Sequence, residues 1–278
     1  MPKKHKRTWT LGMAKHWKKY KPYARPSKSE LTVFERYFRK ASRKHGRILI
    51  LGSTPEFRDL AQKHSLDTYC ADISKENFLE LRKLMKRKKE AASSEKLIHS
   101  DWIKLRTHLR FDLIVGDWAI NMIPVKKYNP FLKAVSTHLK DNGFFVHRHG
   151  VWYPGDRKKA DIKRIVADFR KKHKGEDFYQ VKGLDMFRYF WNWKKMHVDF
   201  SKYVPGIEEL HHKGILNDAE AKDLEFQRPN KTAGLCASML MKKDFDKKVD
   251  NYFKIIKEER STDLWRKNVP IYVMKVKR

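Results

Sequence analysis

Short apolar runs that alternate with amphipathic segments dominate the chain between residues 47 and 150. Five of these runs predict buried strands, because they are short, rich in branched and aromatic residues, and bounded by turn residues. They are Arg47–Leu51, Asp67–Ala71, Lys96–His99, Phe111–Val115 and Phe144–His147. Helical segments separate most of them, so the pattern predicts an α/β fold: a parallel sheet with right-handed crossovers and helices on both faces.

Capping residues indicate where the helices begin. Thr54 and Pro55 form a typical helix start after the first strand, and Ser74 is predicted to begin one helix that ends near Glu90. Before the first strand, Ser27 or Ser29 can cap a helix with a regular apolar face. The basic and aromatic 1–46 segment is therefore predicted to be a helical N-terminal extension.

The pattern changes after Gly150. Asp156 is predicted to cap a helix that ends near Lys172, whereas residues 175–234 contain an aromatic cluster without a clear period. The segments 235–241 and 271–275 predict strands that flank a helix over about 244–259 and return to the edge of the sheet. We therefore divide the chain into an extension (1–46), a core (47–150), a cap or insertion that contacts substrate (151–234) and a returning segment (235–278).

Composition excludes several classes of protein. The 278 residues are 40% hydrophobic, too apolar for a disordered basic tail, and show neither a membrane-spanning run nor a secretory signal. The two cysteines, Cys70 and Cys236, lack the spacing of a disulfide framework or a zinc module, so we expect a cytoplasmic protein without a metal. The formal charge of +31 fits either a surface for nucleic acid or solvated helix faces.

Acidic residues stand at the ends of the first four predicted strands. Glu56 follows the first strand, Asp72 the second, Asp101 the third and Asp117 the fourth. Neither GxGxxG nor GxxxxGK[ST] is present, and Glu56 occupies the place of a bound phosphate. Carboxylates at this edge suit a ligand with hydroxyls, an exocyclic amine and positive charge, which describes S-adenosylmethionine.

At these residues the chain resembles the class I S-adenosylmethionine-dependent methyltransferases, and among them a group that reads LGxTPE in its first motif. The matching segments are RPSKSE, LILGSTPEFRDLA, YCADIS, SDW and FDLIVGDWAINMIP. The resemblance covers residues 47–150 well and implies a Rossmann-like fold. The first motif has a single glycine, Gly52, where many methyltransferases have GxGxG.

The resemblance implies a role for each matching position. Gly52 approaches the methionine part of the cofactor and Glu56 its amino group, Asp72 accepts from the ribose, and Asp101 with Trp102 borders the adenine. The full cofactor set is Gly52, Ser53, Thr54, Glu56, Asp72, Ile73, Asp101, Trp102, Asp117 and Asn121. Taken singly, these aspartates also fit ordinary turn residues that cap helices.

Three residues are candidates for catalysis. Asp117 is expected to face the acceptor, and His147 and His149, two apart on the fifth strand, offer a base or a metal pair, or are buried and hydrogen-bonded. The (D/N)PPY motif of enzymes that methylate exocyclic base nitrogens is absent, and no cysteine nucleophile follows the fourth strand.

The sequence thus predicts a methyltransferase whose acceptor is a small molecule, a protein or RNA. Aromatics interleaved with cations in the cap, such as Trp191 and Trp193, either stack on nucleic-acid bases or form the cap's own core. The alternative hypothesis is a basic nucleic-acid-binding protein on a Rossmann-like scaffold, without methyl transfer.

Overall fold

The computed structural model describes residues 11–232 and 235–278. Within them the helices are α1 (Leu11–Lys15), α2 (Lys28–Ser42), α3 (Pro55–Lys63), α4 (Lys75–Arg82), α5 (Lys88–Ser94), α6 (Tyr128–His138), α7 (Ile162–Lys172), α8 (Phe178–Tyr189), α9 (Phe200–His212), α10 (Asp218–Leu224), α11 (Arg228–Thr232) and α12 (Lys242–Asp250). The strands are β1 (Arg47–Leu51), β2 (Asp67–Asp72), β3 (Lys96–His99), β4 (Phe111–Asp117), β5 (Leu139–Arg148), β6 (Val151–Trp152), β7 (His197–Asp199), β8 (Cys236–Ser238), β9 (Leu240–Met241), β10 (Phe253–Glu259) and β11 (Ile271–Val276). None of these helices has both the length and the hydropathy that crossing a bilayer requires.

The main sheet has the strand order β10-β11-β5-β4-β1-β2-β3. Strands β1 to β5 pair in parallel, whereas β11 runs antiparallel to both β5 and β10. Strand order reverses at β1, which pairs with β2 on one side and β4 on the other. In open sheets of this kind a ligand binds at the reversal, beyond the carboxyl ends of the strands.

Both faces of the sheet are covered by helices, which confirms the predicted fold class. On β1, Ile48 and Ile50 pack into one core with side chains of α2 and α3. Leu49 and Leu51 point to the opposite face and pack with α6 and α12. A strand buried on both sides has no polar alternation, and for this reason β1 appears in the sequence as an unbroken apolar run.

The segment predicted as one helix from Ser74 to about Glu90 forms two helices, α4 and α5. Between them, the carboxylate of Asp59 on α3 accepts the backbone N–H groups of Lys86 and Arg87 at 3.1 and 2.9 Å. Both donors precede Lys88, the first residue of α5, and in one continuous helix they would bond instead to carbonyls one turn earlier. The prediction of one continuous helix is wrong, because a contact distant in sequence favours a new helix start.

The helix predicted over about 244–259 is wrong in its second half. Helix α12 ends at Asp250, and Phe253–Glu259 form strand β10 at the edge of the main sheet. An edge strand keeps charged side chains because one side of it remains exposed. In the sequence, the lysines and glutamates of β10 therefore looked like the exposed polar face of a helix.

Other predictions beyond Gly150 also need correction. The segment 235–241 does not return to the main sheet, since β8 pairs with β7 and β9 with β6 in two small sheets. Asp161 caps α7, whereas Asp156 accepts the backbone N–H of Tyr153. The 175–234 region is largely helical, in elements too short to show a clear period.

The extension does not stand apart from the cap. Tyr20 and Tyr23 belong to a third hydrophobic core, together with side chains of α8 and α9 and with Trp265. Trp152 and Trp191 belong to the same core, with ring centroids 5.2 Å apart. Residues 11–25 therefore pack with the cap and, through Ala14 and Trp17, with Leu81 of α4, whereas α2 packs on the sheet.

A buried ionic network connects the extension to the carboxyl end of the sheet. Arg148, the last residue of β5, is fully buried, and its guanidinium donates to Asp117 at 2.5 Å and to Glu30 at 2.8 Å. Glu30 also accepts the backbone N–H of Ser27 at 2.8 Å, within the capping box of α2. The indole N–H of Trp265 donates to Glu30 at 3.0 Å. One cation thus links β4, β5, α2 and the segment before β11.

We expect Arg148→Met to lower the free energy of unfolding by about 3–5 kcal/mol, because it leaves two buried carboxylates without a counter-charge. Urea denaturation measures the change. The control Arg278→Met removes an exposed pair with Asp141 and should leave stability unchanged within error. A loss below about 1 kcal/mol for Arg148→Met would contradict a structural role for the network.

Candidate functional site

A cavity of about 790 Å³ lies at the carboxyl ends of β1 to β4, where the strand order reverses. One wall comes from the residues that end or follow these strands. The opposite wall comes from the extension, from the segment after β4 and from the cap. The predicted site residues that line it are Gly52, Ser53, Thr54, Asp72, Ile73, Asp101, Trp102 and Asp117.

Gly52 turns the chain from β1 toward α3. Its φ of +92° lies in the left-handed region, which glycine adopts without steric cost. Its N–H donates to the carbonyl of Ala71 at 2.8 Å, which fixes the turn against β2. Ser53 and Thr54 then lead into Pro55, the first residue of α3. A single glycine is therefore sufficient for this loop to pass along the cavity.

Asp72 ends β2 and keeps part of its hydrogen-bonding capacity. One carboxylate oxygen accepts the hydroxyl of Ser53 at 2.7 Å, and the other accepts the backbone N–H of Ser74 at 3.0 Å. Burial raises the pKa of Asp72, and these hydrogen bonds oppose that shift. A carboxylate offers about four acceptor positions, so Asp72 can also accept from hydroxyl groups of a ligand.

Asp101 and Trp102 follow β3 at the opening of the cavity. Asp101 is exposed, and one of its oxygens accepts the backbone N–H of Ile103 at 3.1 Å. The indole N–H of Trp102 donates to the carbonyl of Ala71 at 2.6 Å, and its ring lies edge-on to Phe131. Asp101 therefore caps a short helical turn, which is the role of an ordinary turn residue considered in the sequence analysis. It also lines the cavity.

Asp117 and Trp118 follow one another at the end of β4. Burial raises the pKa of Asp117 to about 6, although the ion pair with Arg148 opposes the shift. Trp118 has a φ of +55°, which is unusual for a bulky residue and typical of functional sites. Its indole N–H donates to the carbonyl of Tyr23 at 3.1 Å, which helps hold the strained conformation.

Two predicted cofactor residues do not line the cavity. An oxygen of Glu56 accepts the indole N–H of Trp17 at 3.2 Å and lies 3.7 Å from the guanidinium of Arg25. Asn121 is fully buried, and its side chain bonds the backbone of Gly150 and Ser238. Contacts within the chain therefore occupy the side chain of Asn121 and one oxygen of Glu56, while the other oxygen of Glu56 is buried without a hydrogen-bond partner among the described residues. This corrects the expectation that Asn121 faces the cofactor, whereas for Glu56 the expectation stays a prediction.

The two candidate catalytic histidines also lie outside the cavity. His147 accepts the backbone N–H of Ile120 at 3.3 Å, and burial lowers its pKa to about 3. His149 stacks on Phe245 with ring centroids 3.8 Å apart, and burial lowers its pKa well below the usual range. They are neutral core residues, so neither is placed to act as a base. No group of three metal-ligating side chains occurs in the described part of the chain.

The sequence analysis missed the residues of the opposite wall. Tyr20 and Tyr23 of the extension line the cavity, together with Lys195 and His197 of the cap and Lys126 after β4. Their only signal was a basic and aromatic composition, which is shared by much of the chain. Which of these side chains face the site depends on how the extension packs against the cap.

No protein-family model matches the chain, and no curated protein sequence is detectably similar to it. Solved structures do match. The CcbJ methyltransferase from Streptomyces caelestis superposes with a TM-score of 0.57 at 10% identity, covering 98% of this chain and 100% of that one. The glycopeptide N-methyltransferase MtfA complexed with S-adenosylhomocysteine gives 0.54 at 10% identity, with coverages of 90% and 89%.

The chain has a Rossmann-like fold, which it shares with these methyltransferase structures. A structure described as a putative zinc-dependent alcohol dehydrogenase from Rhodobacter sphaeroides also matches, with a TM-score of 0.56, 13% identity and coverages of 98% and 100%. At such identities the similarity establishes architecture alone. The chemistry has to be argued from the side chains at the cavity.

We expect His149→Phe to raise stability at pH 7 by about 1 kcal/mol, because both ring nitrogens of His149 are buried without a partner. The gain should be larger at pH 5. A buried histidine with a lowered pKa binds fewer protons than the unfolded chain, so stability falls as pH decreases below about 6.5. Urea denaturation at both pH values measures the effect. A variant less stable than wild type at both would contradict this assignment.

Proposed function

We propose that this protein is an S-adenosylmethionine-dependent methyltransferase. The proposal depends mainly on one observation: Asp72, Asp101 and Asp117, from three successive strands, line a single cavity beside the positive-φ turn at Gly52. Three carboxylates repel a phosphate and suit a ligand with hydroxyls, an amine and a cationic centre. The fold shared with methyltransferases supports the same conclusion.

Each carboxylate has a distinct part in this proposal. Asp72 accepts from the ribose hydroxyls with the oxygen positions that Ser53 and Ser74 leave available. Asp101 accepts from the adenine amine, while Ile73 and Trp102 provide apolar surface for the ring. Asp117 stabilises the positively charged methionine part, since its side chain is only 3% exposed and it directly precedes Trp118, which also lines the cavity.

Glu56 and Asn121 support the site through their neighbours. Glu56 anchors Trp17, a residue of the extension that lines the cavity. Asn121 holds Gly150 and Ser238 together and so fixes the segment after β4 against β8. We therefore assign Asn121 a positioning role. Glu56 has the same role through Trp17, and its second oxygen, which is buried without a hydrogen-bond partner among the described residues, is left for the amino group of the cofactor.

When bound, S-adenosylmethionine supplies a methyl group that is already activated by its sulfonium. The protein then has to align the acceptor and exclude water. Tyr20 and Tyr23 are suited to the second task, since they are 3% and 2% exposed and close the cavity from the side of the extension. Because His147 and His149 lie in the core, the proposal assigns no base to them.

Asp72→Ala should weaken the binding of S-adenosylhomocysteine at least tenfold, equivalent to about 1.4 kcal/mol, because the ribose hydroxyls lose their acceptor. Isothermal titration calorimetry measures the dissociation constant. The matched control is Asp67→Ala at the opposite end of β2, where Asp67 pairs with Arg47 and Lys96. Equal affinities for the two variants would exclude Asp72 from the cofactor site, and no binding by the wild-type protein would refute the proposed function.

A further inference from the structure

We propose that the methyl acceptor is a small molecule with a planar ring and an anionic group, bound in the part of the cavity that the extension and the cap enclose. This inference rests on the proposed function, since it assigns the strand-end wall to the cofactor. It goes further by naming the chemical class of the second substrate.

The cavity is large enough for two ligands of modest size. The smallest pockets that hold a single ligand measure about 300 Å³, and this cavity measures about 790 Å³, so two ligands near the small end of the range fit in it. Its lining also divides into two chemically different walls. The strand-end wall contains Asp72, Asp101 and Asp117, whereas the described lining residues of the extension and the cap include no carboxylate. An acceptor on that second wall therefore meets a different chemistry from the cofactor.

Aromatic rings dominate the second wall. Tyr20, Tyr23, Trp118, Phe187 and Phe200 all line the cavity and are less than one-tenth exposed. Tyr23 is central to them, with ring centroids 5.3 Å from Trp118 and 5.6 Å from Phe187. Aromatic side chains pack favourably against flat rings through edge-on and offset contacts. This wall therefore favours a planar ring over a flexible chain.

The extension closes over this wall and is fastened on both sides. Toward the core, Trp17 donates to Glu56 at 3.2 Å. Toward the cap, Lys21 pairs with Asp177 and, at 2.8 Å, with Asp223, and the hydroxyl of Tyr20 donates to Asn230 at 2.7 Å. A segment held at both sides blocks the approach of a folded protein or a nucleic-acid duplex. A free small molecule satisfies this constraint.

Lysines stand where the cavity meets solvent. Lys126, Lys127 and Lys195 line the cavity and are exposed, and none of them forms an ion pair with a carboxylate of the described residues. Asp101 is also exposed, but it belongs to the strand-end wall after β3. Unpaired cations at an opening attract and hold anionic groups.

Strand β8 brings these lysines to the same part of the opening. The hydroxyl of Ser238 donates to the carbonyl of Ile123 at 2.5 Å, close in sequence to Lys126. The next residue, Met239, donates its N–H to the carbonyl of Met196 at 3.3 Å, beside Lys195. The ring of the acceptor can therefore lie on the aromatic wall while its anionic group contacts the lysines.

Binding of matched probes tests this inference. Calorimetry on the full chain saturated with S-adenosylhomocysteine compares 2-naphthoate with the uncharged 2-naphthamide and with cyclohexanecarboxylate, which lacks the planar ring. We expect 2-naphthoate to bind at least tenfold tighter than either. The ratio of the affinity for 2-naphthoate to the affinity for 2-naphthamide should fall at least threefold in Lys195→Gln and in the double variant Lys126→Gln/Lys127→Gln. Lys89→Gln, an exposed lysine on α5 that does not line the cavity, should leave it unchanged.

The other outcomes contradict this inference, either alone or together with the proposed function. If S-adenosylhomocysteine binds but 2-naphthoate does not, or if it binds no tighter than 2-naphthamide, the acceptor class is wrong and the proposed function stands. If S-adenosylhomocysteine does not bind, the proposed function fails and this inference fails with it. If a 12-nucleotide oligouridylate displaces 2-naphthoate, the acceptor is a nucleic acid and not a small molecule.

Discussion

The buried guanidinium of Arg148 is the interaction on which the arrangement of the site depends. It neutralises Asp117 at the end of β4 and Glu30 at the start of α2, and its backbone carbonyl accepts the N–H of Trp118 at 3.1 Å. Burying three charges has a large desolvation cost, which is offset only when the partners are held in good geometry. The extension, the strained turn at Trp118 and the segment containing Trp265 are therefore constrained together.

This constraint explains why the cavity has two dissimilar walls. The strand ends bring carboxylates to one side because parallel strands all end at the same edge of the sheet. The network then fixes α2, so that residues 11–25 cross the opening and contribute Tyr20 and Tyr23 to the other side. Burial raises the pKa of Asp72 and Asp117, whereas Asp101 at the opening is exposed.

The formal charge of +31 is largely separate from this chemistry. Helix α7 shows where much of it lies: Lys163, Arg164, Lys171 and Lys172 are exposed, while the apolar residues of the helix face the cap core. Exposed charges of one sign act on solubility and on the choice of partners. Among the described residues that line the cavity, the lysines are Lys126, Lys127 and Lys195.

Several site residues were predictable because their signals are local. Gly52, Asp72 and Asp101 each follow a recognisable strand, and the edge at which they meet follows from parallel pairing. His147 lies in β5 and His149 comes directly after its end, yet packing around β5 placed both in the core. In the sequence, two histidines separated by one residue look like a catalytic pair. Alternation shows which side chains share a face, but it does not reveal whether that face meets solvent or packs against other side chains.

The sequence by itself determined the parallel sheet and the acidic strand ends, since apolar runs, caps and turn residues act within a few positions of the chain. Tertiary structure alone decided which aromatic and basic residues complete the cavity. Lys21 meets Asp223, Tyr20 meets Asn230 and Glu30 meets Arg148 across more than a hundred residues. Pairings at such separations leave no periodic trace in the sequence, because they form only when the extension folds back over the sheet and the cap.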